Sequence, residues 1–130
     1  MRITLLMIKK SKPMKAQELR IGNQIHINNL VTIVTSSDIK FIYERERFGW
    51  EIDNCTPIKI SEEILLRLNF KYEYEKMLDK IYSYGSFRVA LNKLEGCHYY
   101  HVDTKIGKSF HYLHQLQNLF YDLTGDTLTL

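Results

Sequence analysis

Cysteine, proline and glycine are all scarce in this 130-residue chain, at two, two and six residues respectively. Cys55 and Cys97 stand far apart with no Cys-x-x-Cys spacing, which excludes the zinc and redox motifs built on that pair. With no secretion signal in view, they read as free thiols of a cytoplasmic protein. So little glycine and proline excludes collagen-like and low-complexity chains. A composition that is 45% hydrophobic and 25% charged excludes intrinsic disorder. No apolar run approaches the roughly 20 residues of a membrane-spanning helix, so no membrane partner is expected.

Motifs that specify a reaction are missing as well. There is no Gly-x-Ser-x-Gly elbow, no Gly-rich loop opening a helix and no His-Glu-x-x-His helix. Ser83 and Ser86 sit in turn-like contexts, and Glu62-Glu63 reads as a helix start. Glu73 and Glu75 alternate with Tyr72 and Tyr74, as on an exposed strand. The sequence therefore assigns no catalytic residue and no cofactor, and a non-catalytic role is expected ahead of an enzymatic one.

Charge is present but unevenly placed. The net charge is +3. Arg2, Lys9, Lys10 and Lys12 fall in residues 1–13 with no acid among them, so that leader carries +4 and the remainder −1. A phosphate-binding face needs Lys and Arg gathered on the folded body, which this distribution does not favour. Residues 1–13 read as a leader, either an added edge strand or, in preference, a stretch upstream of a natural start at Met14. Residues 14–130 read as a single compact domain.

Within that domain the pattern predicts an α+β fold. Residues 14–60 read as an SH3-like β-barrel of five short strands. Gly22 sits in the entry turn, Ile25 and Ile27 alternate, and Asn28-Asn29 makes a turn. Leu30 to Thr35 follows, and Ser36-Ser37-Asp38 breaks it. Ile39, Phe41 and Tyr43 alternate next, Glu44 to Arg47 forms a charged tip, and Phe48, Trp50 and Ile52 alternate again. Thr56 to Ile60 completes the barrel.

Ser61 then caps a two-turn helix, with Ile60 and Leu65 as a hydrophobic staple and Asn69 as a left-handed stop. Strand-like runs between residues 70 and 108 form a β-meander, with turns at Gly85, Asn92 to Gly96, and Gly107. From Ser109 to Leu123 the spacing of Leu113, Leu116, Phe120 and Leu123 predicts a helix packed on the sheet. Thr124-Gly125 ends it, and Thr127 to Leu130 reads as a terminal strand.

Two groups of residues are candidates for function. The polar side of the last helix carries His111, His114, Gln115, Asn118 and Asp122 on one stripe. Two imidazoles one turn apart suit a metal or acid–base site, with Cys97, His98 and His101 as neighbours, although His98 and His101 should point to opposite faces. A solvated helix face is the simpler account, so no metal is assigned and His111 and His114 stay weak candidates. The second group is Trp50, Phe48 and Tyr43, whose aromatic bodies suit a protein partner. Eight of the nine tyrosines lie in the second half, where the balance is slightly acidic, and suit packing more than base stacking.

Two stretches also resemble a known group. Met14-Lys15-Ala16-Gln17-Glu18-Leu19-Arg20-Ile21-Gly22-Asn23 resembles the opening of small uncharacterised proteins of phages, prophages and mobile elements in anaerobic gut bacteria. Tyr112 to Phe120, with Leu123-Thr124-Gly125, resembles their closing helix, and Thr56 to Leu66 their strand running into a capped helix. The resemblance implies a start at Met14 and a phage-associated setting, but no chemistry. Of the histidines only His114 lies inside the shared motif.

The expected function is a non-catalytic module that binds a protein partner through Trp50, Phe48, Tyr43, His114, Gln115 and Asn118. One alternative is a nucleic-acid-binding accessory protein using Arg45, Arg47 and the leader. Another is a metal-dependent or His-based enzyme using His111 and His114.

Overall fold

The computed structural model describes residues 15–48 and 55–130. The leader, Met14, and the expected strand through Trp50 and Ile52 lie outside the described residues. Within them the fold is α+β, with a three-stranded and a five-stranded antiparallel sheet and three α-helices.

A short 3-10 turn, Ala16–Glu18, leads into strand β1 (Gln24–Ile27), and β2 (Leu30–Ile33) returns beside it. Asn28 and Asn29 connect them at φ 53° and 65°. Two successive left-handed residues match the twist of a tight hairpin, and Asn tolerates that region best after Gly. Gly22 also takes the positive φ its turn requires, 97°. β3 (Cys55–Thr56) pairs with the other edge of β1, so the order is β2-β1-β3.

The strand expected at Ile39, Phe41 and Tyr43 is instead helix α1, Ser36–Arg47. Its start is a capping box. The Thr35 hydroxyl accepts from the Asp38 amide at 3.3 Å, and the Asp38 carboxylate accepts from the Thr35 amide at 2.9 Å. Ile39 and Ile42, three apart, then face a core of Ala16, Leu19, Ile25 and Val34. Local capping and that apolar pair outweigh the two-residue alternation. The first half is therefore an open sheet with a helix on it, not the closed barrel expected.

Past β3 only Lys59 keeps a strand-like bridge, to Tyr112. On either side of it, Ile60 N–H donates to the His111 carbonyl at 2.8 Å and Leu113 N–H to the Ile58 carbonyl at 2.7 Å. Helix α2 (Glu62–Arg67) follows as expected: the Ser61 hydroxyl accepts from the Ile64 amide at 3.2 Å, and Asn69 takes φ 72° beyond its end.

Strands β4 (Lys71–Lys76), β5 (Asp79–Tyr84), β6 (Phe87–Asn92), β7 (Gly96–His101) and β8 (Thr104–Phe110) make a meander paired in sequence order. One face meets the helices, where Tyr82, Val89, Cys97 and Phe110 join Leu65, Leu68, Leu113 and Leu116 in the main core. The other face holds a smaller cluster, Ile81, Ala90 and Tyr100.

Three details at the C-terminal end depart from expectation. Gly107 lies inside β8 rather than in a turn, at φ 79°, next to a register shift between Cys97 and Tyr99. That irregularity absorbs two extra residues, one residue of β7 standing opposite three of β8, and lets the strand run on to Phe110. Helix α3 consequently spans Leu113–Thr124 and does not begin at Ser109. Leu123 is 53% exposed, because the chain reverses after Gly125 and brings Leu128 into the core beside Phe120 instead. Residues 127–130 form no strand: the Leu128 carbonyl and the Leu130 amide hydrogen-bond to the side chains of Gln117 and Gln24.

Candidate functional site

The polar stripe of α3 is turned inward, onto the first half of the chain. Gln117 is buried and makes four hydrogen bonds: it accepts from the Gln24 amide at 2.9 Å and the Asn23 side chain at 3.4 Å, and donates to the Gln24 side chain at 3.2 Å and the Leu128 carbonyl at 2.9 Å. Asn118 accepts from the Asn23 amide group at 2.9 Å and donates to the Glu18 carbonyl at 3.0 Å. Asp122 takes both guanidinium nitrogens of Arg20. Gln115 closes the helix start, its carbonyl accepting from the amides of His111 and Tyr112 at 3.0 and 3.1 Å. These side chains form a seam that satisfies backbone groups the first half would otherwise leave bare.

His114 sits under this seam with no exposed surface. Its ring lies parallel to that of Tyr112, and its Nε2 is 3.6 Å from the Glu18 carboxylate, too far for a hydrogen bond. Neither ring nitrogen has a hydrogen-bond partner among the described residues. Burial pushes its pKa below the ordinary histidine value, with Glu18 opposing. The neutral ring is the state this environment holds.

His111 does not share the stripe, because it precedes the helix. Its imidazole packs over Gly96, where a Cβ would lie 2.5 Å from the ring. Only glycine admits that approach, and φ at Gly96 is 89°. His98 and His101 do face opposite ways along β7: His101 stacks on Tyr99, while the buried Nδ1 of His98 has no partner among the described residues. Among the described residues no group of three or more His, Cys, Asp or Glu side chains is placed to hold a metal ion.

Of the aromatic candidates, Tyr43 lies on α1 and Phe48 caps its end. Tyr43 and Phe48 are more than half exposed, and Phe41 nearly so. The Arg45 guanidinium stands 4.9 Å over the Phe41 ring and that of Arg47 5.8 Å from the Phe48 ring. Trp50 lies outside the described residues.

A third feature went unseen in the sequence. A cavity of about 760 Å³ crosses one end of the five-stranded sheet. It lies over a cross-strand row in which Lys80 pairs with Leu91, Leu91 with Cys97, and Cys97 with Phe110, the last two buried in the core beneath it. Ile60 and Glu62 form one wall, and Leu78 and Leu94 stand at the lips, 70% and 85% exposed. Glu62 is engaged, accepting a hydrogen bond from the Tyr82 hydroxyl and lying 3.9 Å from Lys80. Lys59 and His111 also line a second cavity of about 480 Å³, bounded by Thr56, Pro57 and Tyr112. Leu94 reads in sequence as a turn residue, and only the strand register reveals what it and Leu78 flank.

No helix among the described residues is long and apolar enough to cross a membrane. Comparison of the chain with protein-family models, with curated proteins and with solved structures found no match.

Proposed function

We propose that this chain is a non-catalytic binding module whose partner is a protein that docks on the outward side of α1. The carrying observation is the stripe of Phe41, Arg45 and Phe48. Phe41 and Phe48 are seven residues apart, so they share a side of the helix, away from the buried Ile42. The helix thus satisfies its core with Ile39 and Ile42 and still presents two phenyl rings with a guanidinium between them, while Tyr43, exposed as well, lies on a different side of the helix. Aromatic residues and arginine are the side chains most enriched at the centres of protein interfaces.

The resemblance of residues 14–23 and 112–120 to phage and prophage proteins supports a mobile-element setting. The two unpaired thiols, Cys55 and Cys97, support a reducing, cytoplasmic one.

The test places a photo-cross-linking residue at position 41 or 43 in cells of the organism that encodes the chain, with position 71 on β4 as control. One dominant adduct from α1, lost when Phe48 is also changed to Ser, is the expected result. Equal labelling from β4 and α1 would remove the proposal.

A further inference from the structure

Strand β2 carries an inference independent of the outer stripe of α1. It is an edge of the three-stranded sheet, with β1 on one side and no strand on the other among the described residues. Just past its end, Val34 N–H donates to the Asn23 carbonyl at 2.7 Å, so Val34 turns its polar groups toward the β1 side. Successive residues of an antiparallel strand turn theirs alternately to one side and the other. Thr32 and Leu30 therefore bond to Ile25 and Ile27 of β1, and Val31 and Ile33 aim their amides and carbonyls outward. No backbone group of a loop or turn reaches them among the described residues.

The side chains at this edge are apolar and reachable: Leu30 is 69%, Val31 43% and Ile33 56% exposed. Edge strands are commonly guarded against pairing by lysine, proline, a bulge or extreme shortness. Both outer strands of the five-stranded sheet have such guards. β4 begins and ends on lysine, β8 holds Lys105 and Lys108, and each carries a register shift. β3, the other edge of the small sheet, is two residues long. β2 is four residues long and pairs regularly with β1, and residues 28–34 hold no charge and no proline.

What fits this edge follows from its own pattern. Laid antiparallel on a second copy, with Thr32 on the two-fold axis, Val31 falls opposite Ile33 of that copy and Ile33 opposite its Val31. These are the residues whose polar groups face outward, so both pairs are of the hydrogen-bonded kind and four bonds form together. A register moved by one residue would set outward groups against inward ones. The side chains meet as two Val–Ile pairs on one face and a Thr–Thr pair on the other, combinations that stabilise antiparallel strands. With no charge in residues 28–34, nothing in the strand repels its own copy.

We propose that β2 is the interface of a two-fold dimer of this chain, two copies joining edge to edge so that their three-stranded sheets become one of six strands. The contact uses the same residues on both copies, so it closes at two and leaves no β2 edge bare. The rival occupant is the chain's own leader, whose apolar run Ile3 to Ile8 has the length to lie on the same edge.

The experiment measures the mass of the full chain by sedimentation equilibrium up to its solubility limit, with amide exchange followed residue by residue. A reversible monomer–dimer equilibrium is expected. Exchange at Val31 and Ile33 should slow as the dimer fills, while Thr32, already bonded to β1, changes least. Ile33→Lys and, separately, Val31→Lys, both at exposed positions, should weaken dimerisation about tenfold or more, because each enters the interface twice. Both variants should stay folded by circular dichroism, and Tyr72→Lys on β4 should leave the dimer unchanged. A chain that is monomeric at every concentration overturns the proposal. Slow exchange at Val31 and Ile33 in that monomer would assign the edge to the leader, and fast exchange would leave it bare. A dimer untouched by both β2 lysines, or an open-ended aggregate in place of a closed dimer, overturns it as well.

Discussion

Asp122 holds the guanidinium of Arg20 by two hydrogen bonds, 2.7 and 3.0 Å, across 102 residues of sequence. Both side chains are about half exposed. This outer clasp of the seam is therefore screened by water, whereas Gln117 beneath it is not. Geometry ranks Arg20–Asp122 first, and burial ranks it second.

That contrast is measurable. Asp122→Asn should change stability by no more than about 1 kcal/mol, as exposed ion pairs do. Gln117→Ala strips the partners from the Gln24 amide and the Leu128 carbonyl, both buried, and should cost about 2–4 kcal/mol. Urea unfolding midpoints at constant slope separate the two, and equal losses would contradict the ranking.

His114 should make stability depend on pH in one direction. Burial holds its folded pKa below the ordinary 6.5, so below that value the unfolded chain takes up a proton that the folded chain resists. The stability is present above about pH 6.5 and is lost progressively as pH falls toward the folded value. His114→Gln should flatten this part of the profile. A variant with an unchanged slope between neutral and mildly acidic pH would assign the dependence to other groups.

Thr35→Ala removes the hydroxyl that receives the Asp38 amide and should cost about 0.5–2 kcal/mol. The loss should be concentrated in α1, with faster amide exchange at residues 37–40 and little change in α3. Uniformly faster exchange would mean the cap supports more than its own helix.

The two thiols should differ sharply in reactivity. Cys97 is fully buried and its pKa is pushed up by burial to about 12, while Cys55 is only half-buried. Thiolate is the reactive form, so alkylation of the native chain near neutral pH should modify Cys55 first. Labelling at Cys97 should appear only as the chain unfolds, and simultaneous labelling of both would contradict the packing.

Turn and cap chemistry made much of the fold legible. Asn28-Asn29, Ser61, Asn69 and Gly125 each act through their own backbone, so their roles are written locally. Segment 35–43 was misread because Ile39, Phe41 and Tyr43 alternate while Ile39 and Ile42 also fit a helix. The Thr35–Asp38 box decides between them, and its serines passed for a strand break. The α3 stripe was visible as a stripe. Its partners Asn23 and Gln24 lie over 90 residues away, and no local pattern names them. The cavity at the sheet end was invisible for the same reason. Lys80, Leu91, Cys97 and Phe110 become neighbours only through strand register, part of which rests on the irregularity at Gly107.

The meander pairs each strand with the next in sequence, whereas the amides of Gln117 and Asn118 close a loop of more than 90 residues. Closing a loop costs entropy that grows with its length, and no seam contact repays that cost until the ends have met. The order of assembly follows: sheet β4–β8 with α2 and α3 forms early, and the hairpin β1–β2 with α1 docks last. The same step run backwards is a partial opening of the native molecule. Undocking would bare Gln24, Gln117 and His114 together while leaving the meander and its cavity intact.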